Sequence, residues 1–176
     1  MSKSRQKISI KARFFQVGAP LIIALILTFV FKSKVLIPLE VSNSYMEPGF
    51  PKGKTVYINK LTSAKSFLVG DVVLAKSPMD ENSYILARIL GKPGDEVSIS
   101  AREAYRNGNL VSEEIFPKPK SWNLPVLPSG KTESDEKQKL IVPEKTFFLL
   151  CDNREIGIDS RELGPIPESL IIGKVW

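Results

Sequence analysis

Histidine is absent from this chain and cysteine occurs once, at position 151. Ser-His-Asp and Cys-His catalysis are therefore unavailable, as are histidine metal ligands and an imidazole pH switch. One cysteine permits no internal disulfide and no cysteine-rich zinc site. With no histidine or cationic neighbour to activate it, Cys151 reads as a small core residue. The remaining chemistry is concentrated in three segments. The first runs from Val41 to Pro48 (VSNSYMEP) and is followed by Gly70-Asp71. The second runs from Tyr84 through Arg88 to Pro93-Gly94-Asp95. The third is Cys151 to Arg161, in which Asp152-Asn153-Arg154 and Asp159-Ser160-Arg161 alternate opposite charges. Taken alone, Ser44 is an ordinary strand or turn serine, and the four charges of the third segment are an ion-pair network that holds a loop.

The elements that must position these residues are legible from composition. The chain has 176 residues, a net charge of +6 and 43% apolar residues, enough for one domain, or one domain with an anchor. The charge is not spread evenly. Residues 1–34 carry seven lysines and arginines and no acid, so the remainder has a net charge of −1. A nucleic-acid surface is not indicated. The basic residues flank an uncharged run, Phe14 to Phe31, long enough to span about 27 Å as a helix. It is longer than a signal-peptide core and lacks a small-residue cleavage pattern. The expected layout is a basic cytoplasmic tail over 1–13, a transmembrane anchor over 14–31 and an extracytoplasmic domain over 35–176. The positive-inside rule sets the orientation, with the bilayer as the first partner.

Beyond residue 34 the pattern changes to short β-branched runs between turn residues. Strands are expected at Val35–Ile37, Thr55–Ile58, Asp71–Ala75, Tyr84–Leu90, Glu96–Ser100, Ala104–Arg106, Leu110–Ser112, Thr146–Leu150 and Leu170–Val175. Asn107-Gly108 predicts a hairpin and Pro93-Gly94 a turn. Residues 117–139, rich in Pro and then in mixed charge, read as a loop excursion. The fold class is mostly β and antiparallel.

In this order, after one apolar segment, the three motifs resemble bacterial type I signal peptidases. These are membrane-anchored serine–lysine endopeptidases that remove signal peptides from exported proteins. The likeness is most specific where D-N-R-x(4)-D-S-R matches residues 152–161 without a gap. It implies a signal-peptidase-like antiparallel β domain, no cofactor and no metal. It also implies a framework role for Arg88, Asp152, Asn153, Arg154, Asp159, Ser160 and Arg161. A serine hydroxyl needs a base, and a lysine serves when burial keeps its amine neutral.

Carried over residue by residue, that machinery is missing here. The nucleophile position reads Tyr45 and the base position Ala87. The lysine-orienting serine falls at Gly157, and the glycine that opens the third motif is Cys151. Asn43 stands at the oxyanion serine, where its amide could still donate. Without its base such a pair loses several powers of ten in rate. Sliding the motif by one residue would make Ser44 the nucleophile and Ser42 its helper. In a strand, such a slip turns the side chain to the other face unless a bulge absorbs it, and the base would still be lacking. The resemblance places a bound peptide as an added strand beside Leu39–Ser44 and Ser83–Ala87, with Leu39, Val41, Ser42, Met46 and Ile85 as its contacts. The expected function is a non-cleaving homologue that keeps this groove for signal peptides or exported segments, or that partners an active signal peptidase. The alternatives are an active peptidase using Ser44 and a structural envelope protein.

Overall fold

The computed structural model describes residues 14–80, 82–100, 103–117 and 137–176. Two compact units meet in sequence at Leu36/Ile37.

The first unit is helical. A π-helical turn, Phe14–Gly18, leads directly into α1, Ala19–Val35. Pro20 stands at the junction of the π turn and α1, where it cannot donate the ladder hydrogen bond that another residue would make. Leu21, Leu25, Leu27 and Phe29 are between 59% and 75% exposed. Among the described residues no helix is long and apolar enough to cross a membrane. At 17 residues, α1 covers about 26 Å, short of a hydrocarbon core of ~30 Å. The helix also ends four residues later than the apolar run, because Lys32 and Lys34 are good helix formers. Pro38 disfavours helix from the residue before it.

The second unit carries two antiparallel sheets. The strands are β1 Leu36–Glu40, β2 Thr55–Asn59, β3 Val72–Lys76, β4 Tyr84–Gly91, β5 Glu96–Ser100, β6 Glu103–Arg106, β7 Asn109–Leu110, β8 Lys137–Ile141, β9 Thr146–Leu150, β10 Ile166–Pro167 and β11 Ile171–Val175. The larger sheet has the order β1-β2-β11-β3-β4-β9-β10, and the smaller β7-β6-β5-β8. Val35 belongs to the helix rather than to the first strand. Only Asn109–Leu110 pairs where Leu110–Ser112 was expected. The expected loop over 117–139 is cut short by β8, which starts at Lys137. Its residues 118–136 lie outside the described residues.

Strand β9 explains how the two sheets share one interior. Its period of two sends Phe147 and Leu149 to one apolar cluster, with Val73, Ala75, Ala87 and Ile89. Phe148 and Leu150 go to another, with Leu90, Val97 and Ile99. A register shift between Ile89 and Gly91 bends β4 over this interior. Any Cβ at Gly91 would lie 2.5 Å from Val97 Cγ1. The hairpin at Asn107-Gly108 has φ of 51° and 78°, the left-handed pair a two-residue turn requires.

Asp95 ties that hairpin to the Pro93-Gly94 turn. Its carboxylate accepts from Lys92 N–H at 2.9 Å, from Arg106 Nε and Nη2 at 2.8 Å each, and from Asn107 Nδ2 at 3.0 Å. Burial alone would raise this carboxyl, but the hydrogen bonds from Arg106, Lys92 and Asn107 outweigh it and hold the group below its ordinary 3.8. A carboxyl depressed in the folded state contributes stability that is complete above the unfolded value and is lost as pH falls through the folded one. Asp95→Asn is therefore expected to lower the thermal midpoint at neutral pH, with the gap to wild type closing below about pH 4. A gap unchanged by acid in calorimetry would remove the carboxylate from the account.

Candidate functional site

The third motif forms a loop in which nearly every polar group has an assigned task. Asp152, with no exposed surface, receives a fork from Arg88: Nε to Oδ1 at 2.9 Å and Nη2 to Oδ2 at 2.7 Å. Arg88 Nη1 donates to Gly70 O at 2.8 Å, so one guanidinium joins β4, the loop and the Gly70-Asp71 turn. Gly49 sits over the pair, and a Cβ there would lie 2.5 Å from Asp152 Oδ2. Burial raises the Asp152 carboxyl while Arg88 pulls it down. The ring of Phe116 lies near two cations, 5.8 Å from Arg88 and 5.9 Å from Arg154. Burial lowers Arg154 to about 10.

Asp159 caps the short helix α2, Ser160–Leu163, by accepting from Arg161 N–H at 3.0 Å. It also accepts from Cys151 N–H and from the Arg161 guanidinium. Arg161 reaches back to the carbonyls of Arg154 and Gly157 at 2.7 and 3.0 Å. Ser160 Oγ accepts from Leu149 N–H at 2.9 Å. Asn153 turns outward from this network to the first motif. Its N–H donates to Tyr45 O at 2.8 Å and its Nδ2 to Ser44 O at 3.3 Å. The loop thus fixes the backbone of residues 44–45 from more than one hundred positions away.

Residues 43–50 are bends and turns, not the strand assumed for the one-residue slip. Asn43 Oδ1 accepts from Tyr45 N–H at 3.1 Å, Ser44 O from Glu47 N–H at 3.3 Å and Met46 O from Phe50 N–H at 2.7 Å. Within this turn, Asn43 and Tyr45 line a groove of ≈ 340 Å³, together with Ile85 and Leu86 of β4. Ser44 is half-buried and Ser42 exposed, and neither lines the groove. Val41 and Met46 are core residues, and Leu39 lies against the Val41 cluster. Of the five expected peptide contacts, Ile85 alone lines the groove.

Behind the groove, Ala87 is fully buried opposite Val73, in the cluster that holds Met46 and Cys151, and Tyr45 rests against that cluster. Gly157 touches the same region. A Cβ there would lie 2.4 Å from Cys151 Cβ, 2.9 Å from its sulfur and 2.7 Å from Asn153 O. The Cys151 side chain and the Asn153 carbonyl together therefore occupy the space a side chain at 157 would use. Burial, with Asp159 beside it, pushes the Cys151 thiol well up, so it is neutral. Gly157→Ser alone is expected to cost about 1–3 kcal/mol by overpacking. Cys151→Gly combined with Gly157→Ser is expected to recover part of that loss in a urea titration. Strictly additive effects would dissociate the two positions.

Among the described residues, no strand pairs with the first half of β4 on the side away from β3. Strand β9 pairs with β4 only from Arg88 onward, while β3 covers Tyr84 to Arg88 on the other side. Ser77 N–H donates to Ser83 O and Ile89 N–H to Asp71 O, which directs the odd-numbered residues toward β3. Alternation then turns the backbone groups of Tyr84 and Leu86 to the open side, along the groove.

A model of the signal peptidase family, peptidase S26, matches residues 14–176. The chain belongs to this family. It is 29% identical over 167 residues to signal peptidase I V of Bacillus subtilis strain 168, covering 94% of this chain and 97% of that one. It is 26% identical to signal peptidase IB of Staphylococcus aureus strain N315, covering 87% of this chain and 82% of that one. The crystal structure of a signal peptidase I from Enterococcus faecalis V583 superposes with a TM-score of 0.52 at 26% identity, covering 65% of this chain and all of that one. The mostly-β antiparallel architecture is thus that of the family.

Several residues of the site escaped the sequence reading. Ser77, Met79, Ile158 and Leu163 complete the groove, and Phe116 joins the two arginines. For Ser77 the pairing of β3 with β4 was the available signal, since Lys76 faces Tyr84. Ile158 falls at an unassigned position within the third motif and Leu163 just behind it, while Met79 and Phe116 carry no motif.

Proposed function

We propose that this protein is a signal-peptidase homologue that binds extended peptide segments of exported proteins without cleaving them. Ala87 carries this reading. The position expected to hold the base is a methyl group sealed in an apolar cluster, with nothing on it to accept a proton from a hydroxyl in the groove. Tyr45, in place of the nucleophile, lines the groove and has no short hydroxyl arm. The open edge at Tyr84 and Leu86 supports the binding half of the reading. An added strand needs backbone groups and pockets, so recognition survives loss of catalysis.

The N-terminal segment holds the protein at the cytoplasmic membrane with the β domain outside. Support comes from the uninterrupted helical run of the π turn and α1, its exposed apolar side chains and the basic residues on both flanks. A span slightly too short is accommodated by local bilayer thinning. Retention of the full chain in membranes after alkaline carbonate extraction is the expected result.

The main test is incubation of the purified full chain with an exported precursor, alongside Ser44→Ala and Tyr45→Phe. The precursor is expected to stay intact in all three. Cleavage lost only in Ser44→Ala would replace this reading with an active peptidase. Capture of signal peptides, or of an active signal peptidase, is the positive readout, and failure of both leaves the binding half without support.

A further inference from the structure

We infer that the groove selects an uncharged, extended segment carrying a bulky apolar side chain, of leucine or phenylalanine size, rather than one with only small side chains. This rests on the peptide-binding reading above and adds a ligand class to it. Room is the first argument. The groove offers ≈ 340 Å³ of open cleft, which an added backbone and its side chains would share. A lone methyl group would leave most of the wall without partner atoms, forfeiting dispersion contacts.

Charge is the second argument. The lining holds no Lys, Arg, Asp or Glu, so an ionised side chain entering it would lose hydration with no partner to compensate. The groove is complementary in charge to a neutral segment. The rim is the third. Met79, Tyr84 and Ile158 are 81%, 55% and 44% exposed at the groove mouth. Exposed apolar side chains gathered around a cleft mark a binding surface, and a thioether adapts its shape to large apolar groups. The open backbone of Tyr84 and Leu86 keeps the segment extended, so alternate side chains point at the groove.

The test uses the purified full chain in detergent and dye-labelled peptides with one common backbone, read by fluorescence anisotropy after subtraction of empty micelles. Two alternate positions carry Ala, Leu, Phe, Lys or Glu. The Leu and Phe peptides are expected to bind about tenfold or more tightly than the Ala peptide, and the Lys and Glu peptides more weakly than it. Met79→Lys is expected to weaken the Leu peptide and strengthen the Glu peptide. Ala peptides binding as tightly as Leu peptides would overturn the inference and leave the peptide-binding reading standing. Leu peptides indifferent to Met79→Lys would also overturn it, by removing binding from this groove. If no peptide in any series binds, the proposed function itself falls.

Discussion

Methionine in place of Arg88 is expected to be among the most destabilising single changes in the β domain. The substitution keeps much of the apolar stem but strands Asp152, which has no exposed surface and accepts two hydrogen bonds from this one guanidinium. The Gly70 carbonyl loses its donor from Arg88, and Phe116 loses one of its two cations. Removing one partner of a buried pair typically costs about 3–5 kcal/mol, against a total stability on the order of 5–15 kcal/mol for a domain. A large drop in the urea midpoint is the expected result.

The pair Arg88→Met with Asp152→Leu separates a stranded charge from lost packing. Because apolar replacement of both partners is often neutral or stabilising, the double variant is expected to be more stable than Arg88→Met alone. A double variant no better than the single would mean that the fork's value lies in shape. The pH dependence of Arg88→Met gives an independent check. Burial already raises the Asp152 carboxyl against the pull of Arg88, and losing Arg88 raises it further. A folded-state value above the unfolded one means that stability falls as pH rises through that interval. The variant is therefore expected to be relatively most stable in mild acid, opposite in sign to the contribution of Asp95.

The same residues show what a sequence can and cannot disclose. Asn107-Gly108, the β-branched runs and the charged loop were legible because each follows from local stereochemistry or from an unbroken motif. Strand β8 was not. Its Lys137-Gln138-Lys139 start lacks apolar alternation because β8 is an edge of the smaller sheet, where lysines guard against unwanted pairing. The two-residue β10 holds Pro167 at the opposite edge of the larger sheet, the kind of place a ladder tolerates proline. Pro38 occupies the other edge, in β1, in the same way. The turn at 43–50 was left open between strand and turn because two of its fixing hydrogen bonds come from Asn153, far along the chain. The contact between Cys151 and position 157 was invisible for a similar reason. The sequence shows two separate departures from the motif, while the fold shows one volume shared by two residues.

That shared volume governs how catalysis is to be restored. Tyr45→Ser, Ala87→Lys and Gly157→Ser supply the three side chains the family machinery is expected to need, but the third collides with Cys151. Cys151→Gly must accompany them, and the Asn153 carbonyl, 2.7 Å from a Cβ at 157, must still give way. Ala87→Lys alone is expected to destabilise, because it drives a long side chain and an amine into a site with no exposed surface. Tyr45→Ser withdraws a ring from the same cluster and makes room, so the two changes are expected to couple favourably. In the fourfold variant, precursor cleavage is expected to become measurable and to exceed that of the same variant with Ala87 retained by about 10²–10⁴-fold, the usual contribution of a positioned general base. The variant lacking Cys151→Gly is expected to cleave poorly or to fold poorly. Activity is expected to rise with pH as the buried amine sheds its proton, since desolvation lowers a lysine's pKa. A fourfold variant that folds, binds the peptides of the wild type and still cleaves nothing would mean that side chains at 45 and 87 do not come within reach of one another. The absence of catalysis would then lie in the backbone of the 43–50 turn rather than in the side chains it carries.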